Sequence, residues 1–248
     1  MDGVLKWMLV TCFGYTGYKN ARFGRIEVHE EITLAATRIL KDCVKLTEAH
    51  GGEVLHAIID CLVIRGGHAD TIQKEIVRMT RFHTEADVYD WVVFLPQSDG
   101  SGSYCSYFGR LKTGKMKVKG ISANRRTTPP YIVRMQNEML DYLCTYREIE
   151  DIPEAQDTLF SVYKQYQDNM NHADLRDFII TRRIGKQNYH KQCIAQAVVD
   201  TYKEHHVTIE PGMDAAFLVR DEKRLVVDPS WDAQGIDTRY YKRLLRSE

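Results

Sequence analysis

The sequence contains no long apolar run, no paired cysteine motif and no leader-like start. No stretch reaches the about 18 consecutive apolar residues that a membrane-spanning helix needs. The first residues, MDGVLKWMLVTCFGYTG, lack the basic-then-apolar layout of a secretory signal. The six cysteines form no CxxC pair, which argues against a zinc site and against a disulfide framework. We therefore expect a cytoplasmic protein with reduced thiols and no membrane among its partners.

The charge of the chain is balanced in total but unevenly distributed. The 248 residues carry 34 basic and 34 acidic side chains, and 44% of them are hydrophobic, which is enough to form a core. No acidic residue lies within residues 100–137, whereas residues 148–157 are mainly acidic. This separation favours a local surface for a polyanion, although a solvated lysine-rich hairpin has the same composition.

The spacing of apolar residues predicts mixed helices and strands before residue 127 and mainly helices after it. The break is the sequence Thr127-Thr128-Pro129-Pro130. Before it we expect turns at Gly14, Gly17 and Gly24, helices at 27–50 and 69–82, two short strands within 54–64 with a turn near Ile59-Asp60, a strand at 88–95, a polar loop at 100–106 and a hairpin at 107–119. After it we expect helices at 130–146, 153–170, 175–179, 187–205 and 237–246, with a strand pair at 215–219 and 224–227.

One charge, Asp60, lies inside the apolar run VLHAIIDCLVI at residues 54–64. A carboxylate buried among such residues is costly unless something pairs with it. It could be a turn residue that accepts hydrogen bonds from nearby backbone N–H groups or pairs with an arginine, or it could be a metal ligand. The residues alone favour the turn residue.

Five segments, in this order, resemble the C-terminal part of an archaeal B-family DNA polymerase. They are LKWMLVTCFGYTGY, HAIIDC, SYFGRLKTGKMKVKG, GISANRRTTPP, and DFIITRRIGKQNYHKQCIAQAVVD with VTIEPGMDAAFLV. The resemblance is nearest to the divergent second archaeal group or to the small subunit of a split polymerase. It implies an α+β fold, with the end of the fingers at 1–26, a partial palm of antiparallel strands with helices at 27–126, and a mainly helical thumb at 127–248.

The resemblance also implies roles for individual residues. Lys6 matches the fingers lysine that contacts the nucleotide triphosphate. Phe13 and Gly14 match the aromatic residue and the glycine of the same motif and are likewise implied to bind the nucleotide. Asp60 matches the second aspartate of the palm motif, a catalytic metal ligand, while Ile58 replaces the first. The residues implied to contact DNA are Tyr107, Lys112, Lys115, Lys117, Lys119, Arg125, Arg126, Thr181, Arg182, Arg183 and Lys186.

Two hypotheses follow for the function. In the first, the chain is a palm and thumb subunit that binds primer-template DNA, a deoxynucleotide and Mg²⁺ together with a larger polymerase subunit, which supplies the exonuclease domain and the other catalytic aspartate. In the second, it is a non-catalytic DNA-binding or scaffolding subunit. Ile58 and Val10, which replace polar family residues, favour the second, whereas Asp60 and Lys6 favour the first. Without its partner, the palm part should expose apolar surface.

Overall fold

The computed structural model describes residues 2–97 and 100–247, and the chain divides into two compact units. The first unit extends to residue 87 and the second begins at residue 88. Both combine helices with antiparallel strands, so the predicted α+β class is confirmed. The predicted division at residues 26/27 and 126/127 is finer and stays a prediction. Within the described residues, no helix is long and apolar enough to cross a membrane.

The first unit is built from helices around one hairpin. In chain order it contains α1 (Asp2–Thr16), α2 (Ile26–Ala49), β1 (Gly52–Ile58), β2 (Cys61–Gly66) and α3 (Ala69–Thr80). Gly51, with φ of 75°, follows the end of α2, as the glycine pair predicted. The turn expected at Gly14 is wrong, because that glycine lies inside α1, where a single glycine costs about 1 kcal/mol and is tolerated.

The hairpin of β1 and β2 closes through a two-residue turn. Ile58 pairs with Cys61, which leaves Ile59 and Asp60 at the tip. The expectation of a buried Asp60 is therefore wrong, since both turn residues are exposed. The two short strands and the turn predicted near Ile59-Asp60 are confirmed, and Asp60 lies outside the ladder at the tip. Ile59 adopts φ of 53°, an unfavourable conformation for a β-branched side chain.

The buried core of the first unit is small. Its buried side chains are Cys43 and Thr47 of α2 and Ile72 of α3, packed close to Gly52. Large apolar side chains of α1 are instead exposed, and Trp7 is 78% exposed. Others lie on α2 and the hairpin, and the exposed set includes Val4, Leu5, Leu9, Val10, Ile32, Leu34, Ile39, Leu55 and Ile59. The expected exposure of apolar surface is thus confirmed.

The second unit begins with a three-stranded antiparallel sheet in the order β3-β4-β5. Its strands are β3 (Tyr89–Pro96), β4 (Gly102–Leu111) and β5 (Met116–Lys119). The loop predicted at 100–106 is wrong from Gly102 onward, because ladder pairing uses backbone groups and does not require apolar side chains. One sheet face packs Trp91 against Leu143 and Ala155, and the indole N–H of Trp91 donates to the carbonyl of Tyr146 at 3.0 Å.

The rest of the second unit surrounds another antiparallel sheet, in the order β6-β7-β8. Phe178, Phe217 and Tyr241 are fully buried in its core, where the Tyr241 hydroxyl donates to the carbonyl of Phe178 at 2.9 Å. The elements are α4 (Pro130–Leu143), α5 (Gln156–Asn169), β6 (Ile180–Arg183), α6 (Ile194–Glu204), β7 (Asp214–Asp221), β8 (Val226–Pro229) and α7 (Thr238–Ser247), with short 3-10 helices at Ser122–Asn124, Ile149–Ala155, Met170–His172 and Leu175–Phe178.

Two predictions for this half are corrected. The strand β6 was not expected, because four residues are too few for a periodic signal and their partner β7 lies far along the chain. The helix expected from residue 187 begins only at Ile194, after an irregular segment. The amide oxygen of Gln196 accepts a hydrogen bond from the backbone N–H of Tyr189 at 2.7 Å, so a side chain of α6 holds this non-helical segment.

Candidate functional site

Asp60 presents a single exposed carboxylate at the tip of the β1–β2 hairpin. Across the described residues, no hydrogen-bond donor and no arginine pairs with it, so the expected turn contact is absent. The same residues contain no cluster of three or more His, Cys, Asp or Glu side chains that could hold a metal ion. The carboxylates of the described residues therefore do not form a two-metal centre by themselves, and Asp60 can contribute one carboxylate to a site that other groups complete.

The residues matched to the nucleotide site lie along α1. Lys6 and Phe13 are seven residues apart, which places them on the same side of the helix two turns from each other. Lys6 is exposed, and Phe13 is 40% exposed. The ring of Phe13 stacks on His29 of α2 with a centroid separation of 4.3 Å. The sequence analysis did not single out His29, because a histidine on an amphipathic helix gives no distinctive pattern.

One face of the first sheet of the second unit carries the predicted lysines of β5. Tyr107 pairs with Lys119, and Gly109 with Lys117, so these side chains share the face opposite the Trp91 core. Tyr107 is only 7% exposed, because it packs on Phe94 and under the Lys119 ammonium, 5.9 Å from the ring centroid. Of the pair Tyr107 and Lys119, it is therefore Lys119 that is exposed and open to a ligand.

The turn between β4 and β5 carries two more predicted contacts. Lys112 and Lys115 are both exposed on either side of Thr113-Gly114. The turn is closed by the N–H of Gly114, which donates to the carbonyl of Leu111 at 2.8 Å. Both ammonium groups can thus meet a polyanion without losing a buried contact.

Two arginines of residues 100–137, the stretch without acidic residues, form ion pairs within the second unit. Arg110 forms an ion pair with Asp90 and donates through Nε to the carbonyl of Cys144 at 2.9 Å. Arg134 makes a bidentate pair with Asp177, with N···O distances of 2.7 and 2.6 Å, and this hydrogen bonding raises its pKa. Part of the positive charge in residues 100–137 is therefore structural, which composition alone did not reveal.

A pocket of about 360 Å³ in the second unit brings together predicted contacts that are distant in sequence. Arg125 follows the end of β5, whereas Arg182 lies on β6, and both line this pocket. Thr127, Thr128 and Tyr240 add hydroxyl groups, and no acidic residue is among the described lining residues. We call this the two-arginine pocket. The sequence analysis identified its arginines as contacts but did not assign a binding role to its hydroxyl residues.

The hydroxyl of Tyr240 stays protonated in this pocket. Burial and Glu222 raise the pKa of Tyr240, and the positive charges of Arg243 and Arg182 oppose that shift without reversing it. The guanidinium of Arg125 is oriented by a hydrogen bond of 3.1 Å to the carbonyl of Gly120. The pocket thus combines two permanent cations with neutral donors, the chemistry that binds a phosphate group.

The remaining predicted contacts lie at and after β6. Arg126 and Arg183 each approach the carboxylate of Asp214 at 3.5 Å, so they share one negative charge between them. Thr181 is half-buried in the β6 ladder, and Lys186 is exposed in the loop that follows. Arg126, Arg183 and Asp214 together therefore keep one net positive charge.

A larger cavity of about 530 Å³ lies between α6 and the β7–β8 hairpin and contains none of the predicted residues. Asp228 is buried there, 3.4 Å from Arg220, and its carboxylate accepts the N–H of Gln234 at 2.8 Å. Asp200, Glu204 and Asp232 add further negative charge. This cavity is unfavourable for a polyanion, which sets it apart from the two-arginine pocket.

Comparisons with known proteins agree with the motifs. The sequence model of DNA polymerase family B matches residues 104–222, a range that contains every predicted DNA contact and neither Lys6 nor Asp60. DNA polymerase 2 of Saccharolobus solfataricus is 26% identical over 176 residues, covering 71% of this chain and 27% of that protein. DNA polymerase 1 of Sulfurisphaera ohwakuensis is 25% identical over 173 residues, covering 68% of this chain and 19% of that protein.

A solved structure shows the same fold. The family B DNA polymerase of Pyrobaculum calidifontis matches 96% of this chain and 31% of its own, with a TM-score of 0.58 and 20% identity. The chain thus spans 27% or less of the length of the two curated relatives named here. Together, these findings show that the chain is similar in sequence and in fold to a portion of the family B DNA polymerases.

Proposed function

We propose that this chain is the palm and thumb part of a family B DNA polymerase that grips primer-template DNA and acts together with a larger polymerase subunit. The observation that carries the proposal is the two-arginine pocket, where Arg125 and Arg182 meet without an acidic neighbour among the described lining residues. Fixed cations and neutral hydroxyl donors suit a DNA phosphate, a contact that positions the duplex without reading its sequence.

The hairpin of β4 and β5 extends this phosphate-binding role. Lys112, Lys115 and Lys119 are exposed cations that can each displace counterions from a nucleic acid. Lys119 is held over the Tyr107 ring, so its position is restricted before DNA binds. Such contacts predict binding that weakens steeply as salt rises.

Asp60 is proposed to supply one carboxylate to a Mg²⁺ site that the larger subunit completes. Its exposure at the hairpin tip leaves the carboxylate open to a partner protein and to nucleotide phosphates. Mg²⁺ binds through one or two carboxylates together with substrate phosphates, so a single protein ligand from this chain is compatible with such a shared site. Lys6 of α1 is proposed to meet the triphosphate of the deoxynucleotide as a point charge.

The apolar surface of α1 supports the proposed partner. Trp7, Leu9 and Val10 are exposed on a helix that is apolar around its whole circumference, a pattern typical of helices that are covered. Curated relatives are several times longer than the matched segment, and the proposed larger subunit would supply the remaining polymerase elements.

Primer extension by the complex with the larger polymerase subunit tests the catalytic role. The wild-type complex should extend a primer, and Asp60→Ala should abolish extension because a metal ligand is lost. Asp42→Ala, which removes an exposed carboxylate from α2, is the matched control and should extend normally. Equal extension by the Asp60→Ala and wild-type complexes would contradict the role assigned to Asp60.

Binding of primer-template DNA tests the two-arginine pocket independently of catalysis. Replacing Arg125 and Arg182 by glutamate should weaken binding and reduce the slope of log K against log salt by about 2, since each lost phosphate contact contributes about 0.9. The control is Lys164→Glu, which reverses the charge of an exposed side chain on α5 and should leave that slope unchanged. An unchanged affinity of the double variant at low salt would contradict the proposal that the two-arginine pocket binds DNA.

The alternative is a non-catalytic DNA-binding or scaffolding subunit. It is favoured by the isolation of Asp60, which has no neighbouring carboxylate cluster among the described residues, and by Ile58 at the position of the first palm aspartate. Under this alternative, the two-arginine pocket binds DNA as above, but Asp60→Ala has no effect on any polymerase activity of the complex.

A further inference from the structure

We propose that His29 is a positioning residue that holds the Phe13 ring in the orientation from which it contacts the incoming nucleotide. The inference rests on the proposed function, and on the match of Phe13 to the aromatic residue of the nucleotide-binding fingers motif. His29 lies one turn after the start of α2, and neither the family motifs nor the apolar pattern assigns it a role.

The imidazole of His29 contacts both the ring and the backbone of Phe13. The two rings stack with centroids 4.3 Å apart and an interplanar angle of 23°. Nδ1 of His29 lies 3.2 Å from the Phe13 carbonyl oxygen and 3.3 Å from Oγ1 of Thr16. Since the Thr16 hydroxyl itself donates to the Phe13 carbonyl at 2.7 Å, all three groups are satisfied when Nδ1 carries the proton and donates.

The backbone at Gly17 packs closely against the imidazole of His29. A Cβ at residue 17 would lie 3.0 Å from Nδ1 and 3.2 Å from Cγ of His29, closer than ordinary packing allows. A residue with a Cβ at this position would therefore require the imidazole to shift by a few tenths of an ångström. Gly17 was predicted from the sequence as a turn residue. The structure shows that it also leaves room for the imidazole of His29.

The contact matters because little else fixes the rotation of α1. No side chain among its described residues 3–16 is buried, so the helix lacks the packed face that normally holds a helix in place. The backbone N–H of Arg25 donates to the carbonyl of Thr16 at 3.0 Å and tethers the end of α1 without setting its rotation. The His29 stack does set it, at the turn that carries Phe13.

Part of the Phe13 side chain remains exposed to a ligand when His29 is stacked on it. His29 covers one face of the ring, and 40% of the residue remains exposed. An aromatic ring held on one face can stack against a base or sugar on its free surface without first losing rotational freedom. Through the shared side of α1, the same contact also sets the direction of Lys6.

Amide hydrogen exchange in the full chain tests the contact itself. His29→Ala should accelerate exchange over residues 13–17 by about tenfold, because the stack and the hydrogen bonds are both lost. His29→Phe keeps the stack and should recover most of the protection. The matched control is His50→Ala at the other end of α2, whose Nδ1 also bonds a helix carbonyl, that of Leu46 at 2.9 Å. Unchanged exchange in His29→Ala overturns the proposal.

Steady-state kinetics of the complex with the larger subunit test the consequence for the nucleotide. His29→Ala should raise the KM for the deoxynucleotide about tenfold with little change in kcat, and His29→Phe should restore most of it. Accelerated exchange with an unchanged KM would overturn the positioning role. A wild-type complex that extends no primer overturns the proposed function and the nucleotide role together, while the exchange result still decides whether His29 fixes Phe13.

Discussion

The two units of the chain differ in how much of their apolar surface they bury. The second unit buries large side chains such as Phe178, Phe217 and Tyr241, whereas the core of the first consists mainly of Cys43 and Ile72. Buried apolar area is the main favourable term in folding, so the second unit carries most of what stabilises it within itself. The first unit exposes apolar side chains that a self-sufficient domain would cover.

Helix capping does not separate the two units. The helices α2 and α3 of the first unit start without a capping side-chain hydrogen bond, and so do α4, α5 and α6 of the second. At the start of α7, the carboxylate of Asp237 accepts the backbone N–H groups of Arg239 and Tyr240. The comparison teaches that the units differ in their cores: the second buries large side chains, whereas the first retains exposed surface that is suited to binding.

The largest expected effect is in the core of the second unit. Phe178→Ala should lower the free energy of unfolding by about 3–5 kcal/mol, because a fully buried aromatic side chain leaves a cavity. Phe160→Ala, at an exposed position of α5, should change it by less than about 0.5 kcal/mol. Denaturant unfolding measures both variants, and equal effects would remove the contrast between core and surface.

The next effect is at the cap of α7. Asp237→Ala should cost about 1 kcal/mol at neutral pH, the typical loss of an N-cap. Burial alone would raise the pKa of Asp237, but three backbone N–H bonds outweigh it and lower the pKa below the ordinary value of an aspartate. The stabilisation is therefore fully present well above the ordinary aspartate pKa and is lost as the pH falls through the lowered pKa of the folded state. Denaturant unfolding of variant and wild type against pH should show this convergence.

A smaller effect is expected at two strained turn residues, one in each unit. Ile59→Gly should stabilise the hairpin of the first unit by about 0.5–1 kcal/mol, because φ of 53° is unfavourable for isoleucine and open to glycine. Leu225→Gly relieves a similar φ of 55° in the second unit, but it also removes a half-buried side chain. Thermal unfolding should therefore show a gain for Ile59→Gly and less or none for Leu225→Gly.

The smallest effect on stability is expected on α1. Replacing Trp7 and Leu9 by serine should change the free energy of unfolding by less than about 0.5 kcal/mol per residue, since both side chains are exposed. The same changes should reduce self-association of the chain, which sedimentation velocity measures. A large loss of stability would show that α1 is packed more tightly than its exposure indicates.

Several predictions from sequence depended only on local pattern, and these agree with the structure. The long helix before Gly51 and the hairpin around Thr113-Gly114 follow from apolar spacing and turn residues. The strand β6 did not follow, because its ladder partner is remote in the chain. The turn near Ile59-Asp60 was predicted, but the exposure of Asp60 was not, because its apolar neighbours indicate burial and only the strand pairing shows that it lies at the hairpin tip.

The same distinction, between features set by local sequence and features set by tertiary contacts, applies to the candidate sites. The sequence by itself determined the α+β class, the family resemblance and the arginines that bear the fixed charge, since these depend on residue type and order. Only the tertiary structure decided that Arg110 and Arg134 are used in ion pairs, while Arg125 and Arg182 meet in one pocket. It also placed His29 against Phe13. Which charges pair and which rings stack depends on distances between segments far apart in the chain, and no local pattern encodes those distances.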